Sequence, residues 1–296
     1  MADRYWVGDG GNWSDGPNHW ASSSGGSPGS SVPSTGDQVF IDSNSFSTDG
    51  ETITQDQSVE VLNISFVPER AFIFTTSGYS ITVTSTGVYP RNGLVWEYAD
   101  GSTFNASSSV INLNSGTGFI LFARTTSQNM TFSGELATMN LSDGSEFQLN
   151  ASWAFGGGVI SGRLGELNVP SGSINLSYLK KTLEHTLVVD TLNISPGATV
   201  TFPGSSDDTV LGTMLVIDLN ANGTSGSGIV INNDGAGRGK LSVSRTSLSF
   251  ITVSDNAASG IAAPFDASDN GTDAGGNTGW CFSSCTVAFT PSFQIL

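Results

Sequence analysis

INLNSGTGFIL at residues 111–121, MNLSDGSEFQL at 139–149, LNVPSGSINL at 167–176 and LNISPGATVTF at 192–202 are four versions of one phrase. Each runs apolar–Asn–apolar, then a short turn with Gly, then apolar–x–apolar. A weaker copy, IDLNANGT, begins at Ile217, and LNIS at Leu62 opens an earlier one. The starts at 111, 139, 167, 192 and 217 lie 28, 28, 25 and 25 residues apart. Two brief alternating strands joined by a Gly turn account for each phrase. A period of this length signals a solenoid or a propeller. The strands are too short and too few per unit for a four-stranded blade. The expected fold is therefore all-β: a right-handed, single-stranded parallel β-helix, or solenoid, with N- and C-terminal caps. Each coil stacks on the next at ~4.8 Å. Leu62, Ile111, Met139, Leu167 and Leu192 are expected in one inward column.

Asn112, Asn140, Asn168 and Asn193 recur at one place in the unit, with Asn63 and Asp218 as looser matches. Apolar neighbours on both sides turn each Asn outward. Stacked Asn side chains hydrogen-bond along a column. We read them as a ladder that fixes register, in preference to a polar binding stripe. Helical periodicity is nearly absent. The exception is SYLKKTLEHTLVVD at residues 177–190, where Leu179, Leu183 and Leu187 sit four apart; its Leu-Val-Val ending favours strand.

Composition narrows the function classes. The chain has 296 residues, 37% of them hydrophobic, enough for a continuous core. Acids outnumber bases 26 to 10, for a net charge of −16. Three Lys (Lys180, Lys181, Lys240) and no basic stripe argue against nucleic acid or an anionic membrane as partner. The opening MADRYWVGDGGNW lacks the basic and apolar regions of a signal peptide. No stretch approaches the ~18 apolar residues of a membrane span. The two cysteines, Cys281 and Cys285, are either free or form a small terminal staple. Extended chain would separate them by ~13 Å. A bridge needs Cα atoms ~4.4–6.8 Å apart, and so a turn through Ser283 and Ser284.

An open solenoid must cover its terminal coils. Residues 1–46 carry three of the six Trp, namely Trp6, Trp13 and Trp20, followed by the Gly/Ser/Pro run at 22–37 and the alternating strand QVFID at 38–42. They are expected to form a cap, with the coils over 47–265 and a C-terminal cap and tail over 266–296. The three Trp plug the first coil; a glycan-binding aromatic platform is the competing reading. At the other end, DASDNGTDAGGNTGWCFSSC (266–285) surrounds Trp280. Asp266, Asp269 and Asp273 are weak candidates for Ca²⁺, since their spacing does not match an EF-hand loop. A solvated turn is the preferred reading.

The segment RYWVGDGGNWSDGPNHWASSSGGSPGSSVP (4–33) resembles an N-terminal module frequent in tailed-bacteriophage virion proteins and some bacterial surface proteins, of the form YWVGGxGxW…HWS…SGG…GxSVPxxxDxV. The matching residues are Tyr5, Trp6, Val7, Gly8, Trp13, His19, Trp20, Gly25, Gly26, Val32, Pro33 and Asp37. The close of the chain, SDNAASG at 254–260 and DNGTDAGGNTGW at 269–280, is similar to the ending of the same proteins. The resemblance implies a parallel β-helix with a structural role on the surface of a phage particle, as a capsid decoration or a tail or fibre component. It also implies synthesis in the host cytoplasm, other virion proteins as partners, and association with itself as a homotrimer. It supplies no catalytic residues and no cofactor. The ending CFSSCTVAFTPSFQIL (281–296) runs beyond the usual close. Its Phe289, Phe293, Ile295 and Leu296 would otherwise be an exposed apolar patch, and are read as an assembly contact.

Chemistry has few candidates. Glycan-cleaving β-helices need paired carboxylates. The acids considered are Glu166, Glu184, Asp190, Asp207 and Asp208; the adjacent Asp207 and Asp208 would point to opposite faces of a strand. His19 and His185 are isolated. No nucleophile elbow and no phosphate-binding Gly loop occurs. The expectation is a scaffold without catalysis. A glycan- or receptor-binding adhesin is the alternative, and a glycan depolymerase a third reading.

Overall fold

The computed structural model of the chain describes residues 1–76, 78–85, 94–98, 102–113, 119–123, 131–140, 147–150, 159–175, 186–202, 204–205, 214–233, 238–259 and 263–283. These are almost all β, with one short helix, Gly16–His19. The strands fall in sheets of seven, thirteen, five and two, and nearly all neighbours are parallel. The antiparallel pairs are at the margins: Asp3–Trp6 with Trp20–Ala21, and Gly204–Ser205 with Arg238–Ser249.

Parallel neighbours come from successive units of the sequence, and their register aligns like with like. Val59, Ile81, Ile111, Met139, Leu167, Leu192 and Leu219 are consecutive partners in the thirteen-stranded sheet. Of these, Val59, Ile81, Ile111, Leu167, Leu192 and Leu219 are buried at 5% exposure or less. Full burial of one such side chain stabilises by about 1.5–3 kcal/mol, so the column is a principal source of cohesion.

One start of a unit differs from the expectation, and so does one place in that column. Leu62 is not in it: it lies between the strands Val59–Val61 and Asn63–Phe66, and Val59 takes the inward place. Ile217, the expected start of the next unit, is displaced by Leu219, because the step from Leu192 to its partner is 27 residues rather than 25. In Val159–Val169, the buried Leu164 and Leu167 enclose two half-buried residues, Gly165 and Glu166. The same pattern recurs at Asp190–Thr191 between Val189 and Leu192, and at Ile217–Asp218 between Val216 and Leu219. Leu164 pairs with Val189 and Glu166 with Thr191, but the rung between them is missing; it is missing at the same level in the next two pairs. Two outward residues in succession break the period of two and bend the strand. Ile217 stands at that missing rung.

The unit is therefore longer than the quoted phrase. Its first strand spans 9–12 residues in Thr103–Leu113, Thr131–Asn140, Val159–Val169, Thr186–Ile194, Met214–Asn222 and Arg238–Ser249. Earlier in the chain the same position is filled by two separate strands: Thr103–Leu113 pairs with Phe72–Thr76 through its first half and Ser80–Val83 through its second. A shorter strand follows each. Up to Phe147–Asn150 it belongs to the seven-stranded sheet, and from Gly172–Asn175 onward to the five-stranded sheet. Among the described residues, the buried side chains make one continuous core cluster. Of the stretch at 177–190, residues 186–190 are strand; the rest lies outside the described residues.

Candidate functional surfaces

The N-terminal module packs its aromatic rings inward. Gly8 and Asp9, at φ 79° and 65°, reverse the chain after the first strand. Pro17 opens the helix Gly16–His19, where its missing N–H costs nothing. Trp6, Trp13 and Trp20 all have 0% exposure. Trp6 stacks on His19 at 4.6 Å and 4°, and meets Trp20 edge-on at 5.1 Å. Trp13 lies 4.8 Å from Trp20 and 6.3 Å from Phe74 of the strand Phe72–Thr76. The indole N–H groups of Trp6 and Trp20 donate to the carbonyls of Asp9 and Trp13, at 2.6 and 2.8 Å. His19 Nδ1 donates to the Val7 carbonyl at 3.0 Å, since a carbonyl only accepts. At Gly11 a Cβ would lie 2.0 Å from His19 Nε2, so this position has room for glycine alone. A glycan platform requires exposed ring faces. These three Trp have none, and they serve as core.

Carboxylates fasten the module to the strands that follow. Asp37 accepts the Ala2 N–H at 2.9 Å and the Ser34 N–H and hydroxyl at 3.2 Å, with Arg4 at 3.9 Å. Glu51 accepts the Gly10 N–H at 2.9 Å, and Asp56 the Ser14 N–H at 2.9 Å and hydroxyl at 2.6 Å. Asp9 returns the contact, accepting the Ser47 N–H at 2.6 Å. Burial alone would raise the Asp37 carboxyl. The Ser34 and Ala2 donors and the Arg4 charge outweigh it, and the group titrates below the usual carboxylate range. Sequence reasoning missed Glu51 and Asp56, because their partners are backbone groups about 40 residues away, which no motif announces.

The Asn positions form a ladder where their side chains are described. Asn193 Nδ2 donates to Asn168 Oδ1 at 2.9 Å, and Asn220 Nδ2 to Asn193 Oδ1 at 2.9 Å. Asn193 Nδ2 also reaches Glu166 Oε1 at 2.6 Å. Asn112 donates to Thr82 Oγ1 at 3.2 Å, and Asn140 holds the register position between Asn112 and Asn168. Two looser matches fall outside the ladder. Asn63 is buried in the seven-stranded sheet and bonds Gln38. Asp218 is replaced by Asn220, because the step from Asn193 to its partner is 27 residues, two more than the 25 between the starts at 192 and 217. Asp218 instead pairs with Arg245, whose hydrogen-bonded guanidinium holds its carboxyl below the usual range.

The proposed metal ligands do not converge. Asp266 accepts from the N–H and hydroxyl of Ser268, Asp269 from Asn270, and Asp273 from Gly275 and Asn277. Asp266 and Asp273 each close their own turn, Asp269 holds the neighbouring amide, and no group of three or more His, Cys, Asp or Glu suited to a metal occurs among the described residues. Asp266, Asp269 and Asp273, read from the sequence as a solvated turn region with Ca²⁺ as the weaker alternative, are exposed and bonded to near neighbours in sequence. Trp280 is half-buried, with Phe265 edge-on at 5.0 Å and Phe282 stacked at 6.3 Å. Cys281 is disulfide-bonded, and Cys285 is the one other cysteine in the chain. Among the acids considered for catalysis, Glu166 serves the Asn ladder. Glu184, His185, Asp207, Asp208, Cys285 and the assembly residues Phe289, Phe293, Ile295 and Leu296 lie outside the described residues. Comparison of the chain with known protein families, curated proteins and solved structures gives no match.

Proposed function

We propose that the chain winds as a right-handed parallel β-helix and serves as a structural component of a bacteriophage virion surface, a scaffold without catalysis. The observation that carries the β-helix reading is the alignment of seven successive units through one column from Val59 to Leu219. A shorter strand follows each Asn strand, in one sheet up to Phe147–Asn150 and in another from Gly172–Asn175 onward, and this regular succession supports one coil per unit. The virion reading rests on the module at residues 4–33. Support comes from its construction: Trp rings, glycine turns and carboxylate clamps act together to close the first coil, a role suited to a rod displayed on a particle. In this reading the coils associate laterally as a homotrimer, because outward rows of Ser, Thr and Asn lose little on leaving water compared with charge.

Two experiments test the proposal. Cross-linking with mass spectrometry of purified particles is expected to join this chain to other virion proteins; its absence from washed particles would defeat the virion reading. Sedimentation of the intact chain at micromolar concentration is expected to give a trimer, and a chain ending at Cys285 a smaller species. A monomer in both cases would defeat self-association.

A further inference from the structure

Asn followed by Gly is a chemically fragile pair, because glycine has no side chain to shield its nitrogen from the neighbouring amide carbon. Five Asn-Gly or Asp-Gly pairs lie among the described residues: Asp9–Gly10, Asp15–Gly16, Asp49–Gly50, Asn222–Gly223 and Asn270–Gly271. In four of them the glycine N–H is engaged. Gly10 donates to Glu51 Oε2 at 2.9 Å. Gly16, Gly50 and Gly223 donate to the carbonyls of Ser14, Ala71 and Ser249 at 3.0, 2.8 and 2.9 Å. Gly271 precedes the strand Thr272–Asp273, and its N–H donates to nothing among the described residues. The two Asn-Gly pairs also differ in the amide. Asn222 is anchored in a strand by Ser247 and Ser249. Asn270 is exposed on a turn at φ 55°, and among the described residues its Nδ2 is bonded only to the adjacent Asp269 at 2.7 Å.

We propose that Asn270 is a site of spontaneous deamidation, with water as the only co-reactant. The Gly271 nitrogen gives up its proton and bonds to Asn270 Cγ. The Cγ–Nδ2 bond breaks, and Nδ2 leaves as ammonia carrying that proton. One water then opens the five-membered imide at either carbonyl, to aspartate or isoaspartate. The new carboxylate stands beside Asp269, where a hydrogen bond stood before. The Asp269 carbonyl accepts the Phe250 N–H at 2.9 Å, so the reaction loosens a turn that ties the C-terminal segment to the last coils.

The test is to age the intact protein in mildly alkaline buffer, and in parallel in denaturant, and to locate amide-to-acid conversion by fragmentation mass spectrometry. In the folded protein Asn270 is expected to convert about two- to tenfold faster than Asn222, the factor one held backbone hydrogen bond is worth. In denaturant the two rates converge. Equal rates in the folded protein would overturn the proposal. So would an Asn270 that stays intact for as long as the denatured chain takes to convert.

Discussion

The first strands and the middle strands solve the same problem by opposite means. From residue 1 to about residue 60 the chain is held by contacts that occur once: Trp13 against Phe74, Asp37 on the Ala2 N–H, Glu51 on the Gly10 N–H, Asp56 on Ser14. From Val159–Val169 to Met214–Asn222 it is held by repetition, with Leu on Leu inside and Asn on Asn outside. The difference follows from position. A middle strand has a copy of itself on either side, so one residue choice serves two neighbours. The first strand has a neighbour on one side only, and its other edge must be met by something that is not a strand of the same kind. Here it meets Trp20–Ala21, two residues running antiparallel, backed by the buried rings.

The largest expected effect breaks the unrepeated end. Trp20→Ala should cost about 3–5 kcal/mol, as large-to-small aromatic changes do. It should also promote aggregation, because the antiparallel cover over the first strand is lost; denaturant melts with light scattering measure both. Leu192→Ala in the middle should cost about 2–5 kcal/mol by cavity formation. It should leave the protein free of aggregation, since both flanking strands remain. If Leu192→Ala aggregates and Trp20→Ala does not, the assignment of edge protection to the aromatic end is wrong.

Smaller effects sharpen the contrast through pH. Asp37 titrates lower in the folded protein than in the unfolded chain. Its stabilisation is therefore complete above the unfolded value near ~3.9 and is lost as pH falls through the lower folded value. Asp37→Asn should cost about 1–3 kcal/mol at neutral pH and flatten that acid limb. Asn193→Asp should do the reverse. It sets a second carboxylate against Glu166, 2.6 Å from the present amide nitrogen, and raises the folded-state values of the pair. The variant should match the parent at low pH and lose about 1–2 kcal/mol as pH rises through the raised values. Melting temperatures across pH 2 to pH 7, about the carboxylate range, compare the two slopes directly.

The inward Leu column and the Asn ladder were readable because a repeat announces itself. Leu167–Asn168 and Leu192–Asn193 are the same dipeptide, and the pairing sets them side by side. The bend was not readable. Two outward residues in a row, such as Gly165 and Glu166, resemble the end of a strand, so strands of 9–12 residues looked like short ones. Ile217 looked like the start of a unit because it stands 25 residues after Leu192, as Leu192 does after Leu167, when Leu219–Asn220 carries the matching pair. Burial of Trp6, Trp13 and Trp20 followed from their density, whereas the carboxylates that fasten them left no trace, since a backbone N–H is common to every residue type. Asp266, Asp269 and Asp273 illustrate the converse: they are close in sequence, yet each carboxylate is claimed by donors of its own.

The register steps from Asn168 to Asn193 and from Asn193 to Asn220 are 25 and 27 residues, yet each advances the sheet by one interstrand spacing of ~4.8 Å. Length along the stacking direction thus depends on how many units the gene encodes, not on how many residues each contains. Excision of residues 168–192 would join Leu167 to Asn193, keep every remaining neighbour matched, and shorten the stack by a single spacing. The protein is in this sense a ruler whose graduations are inherited whole, and duplication or loss of one segment changes its reach in equal steps.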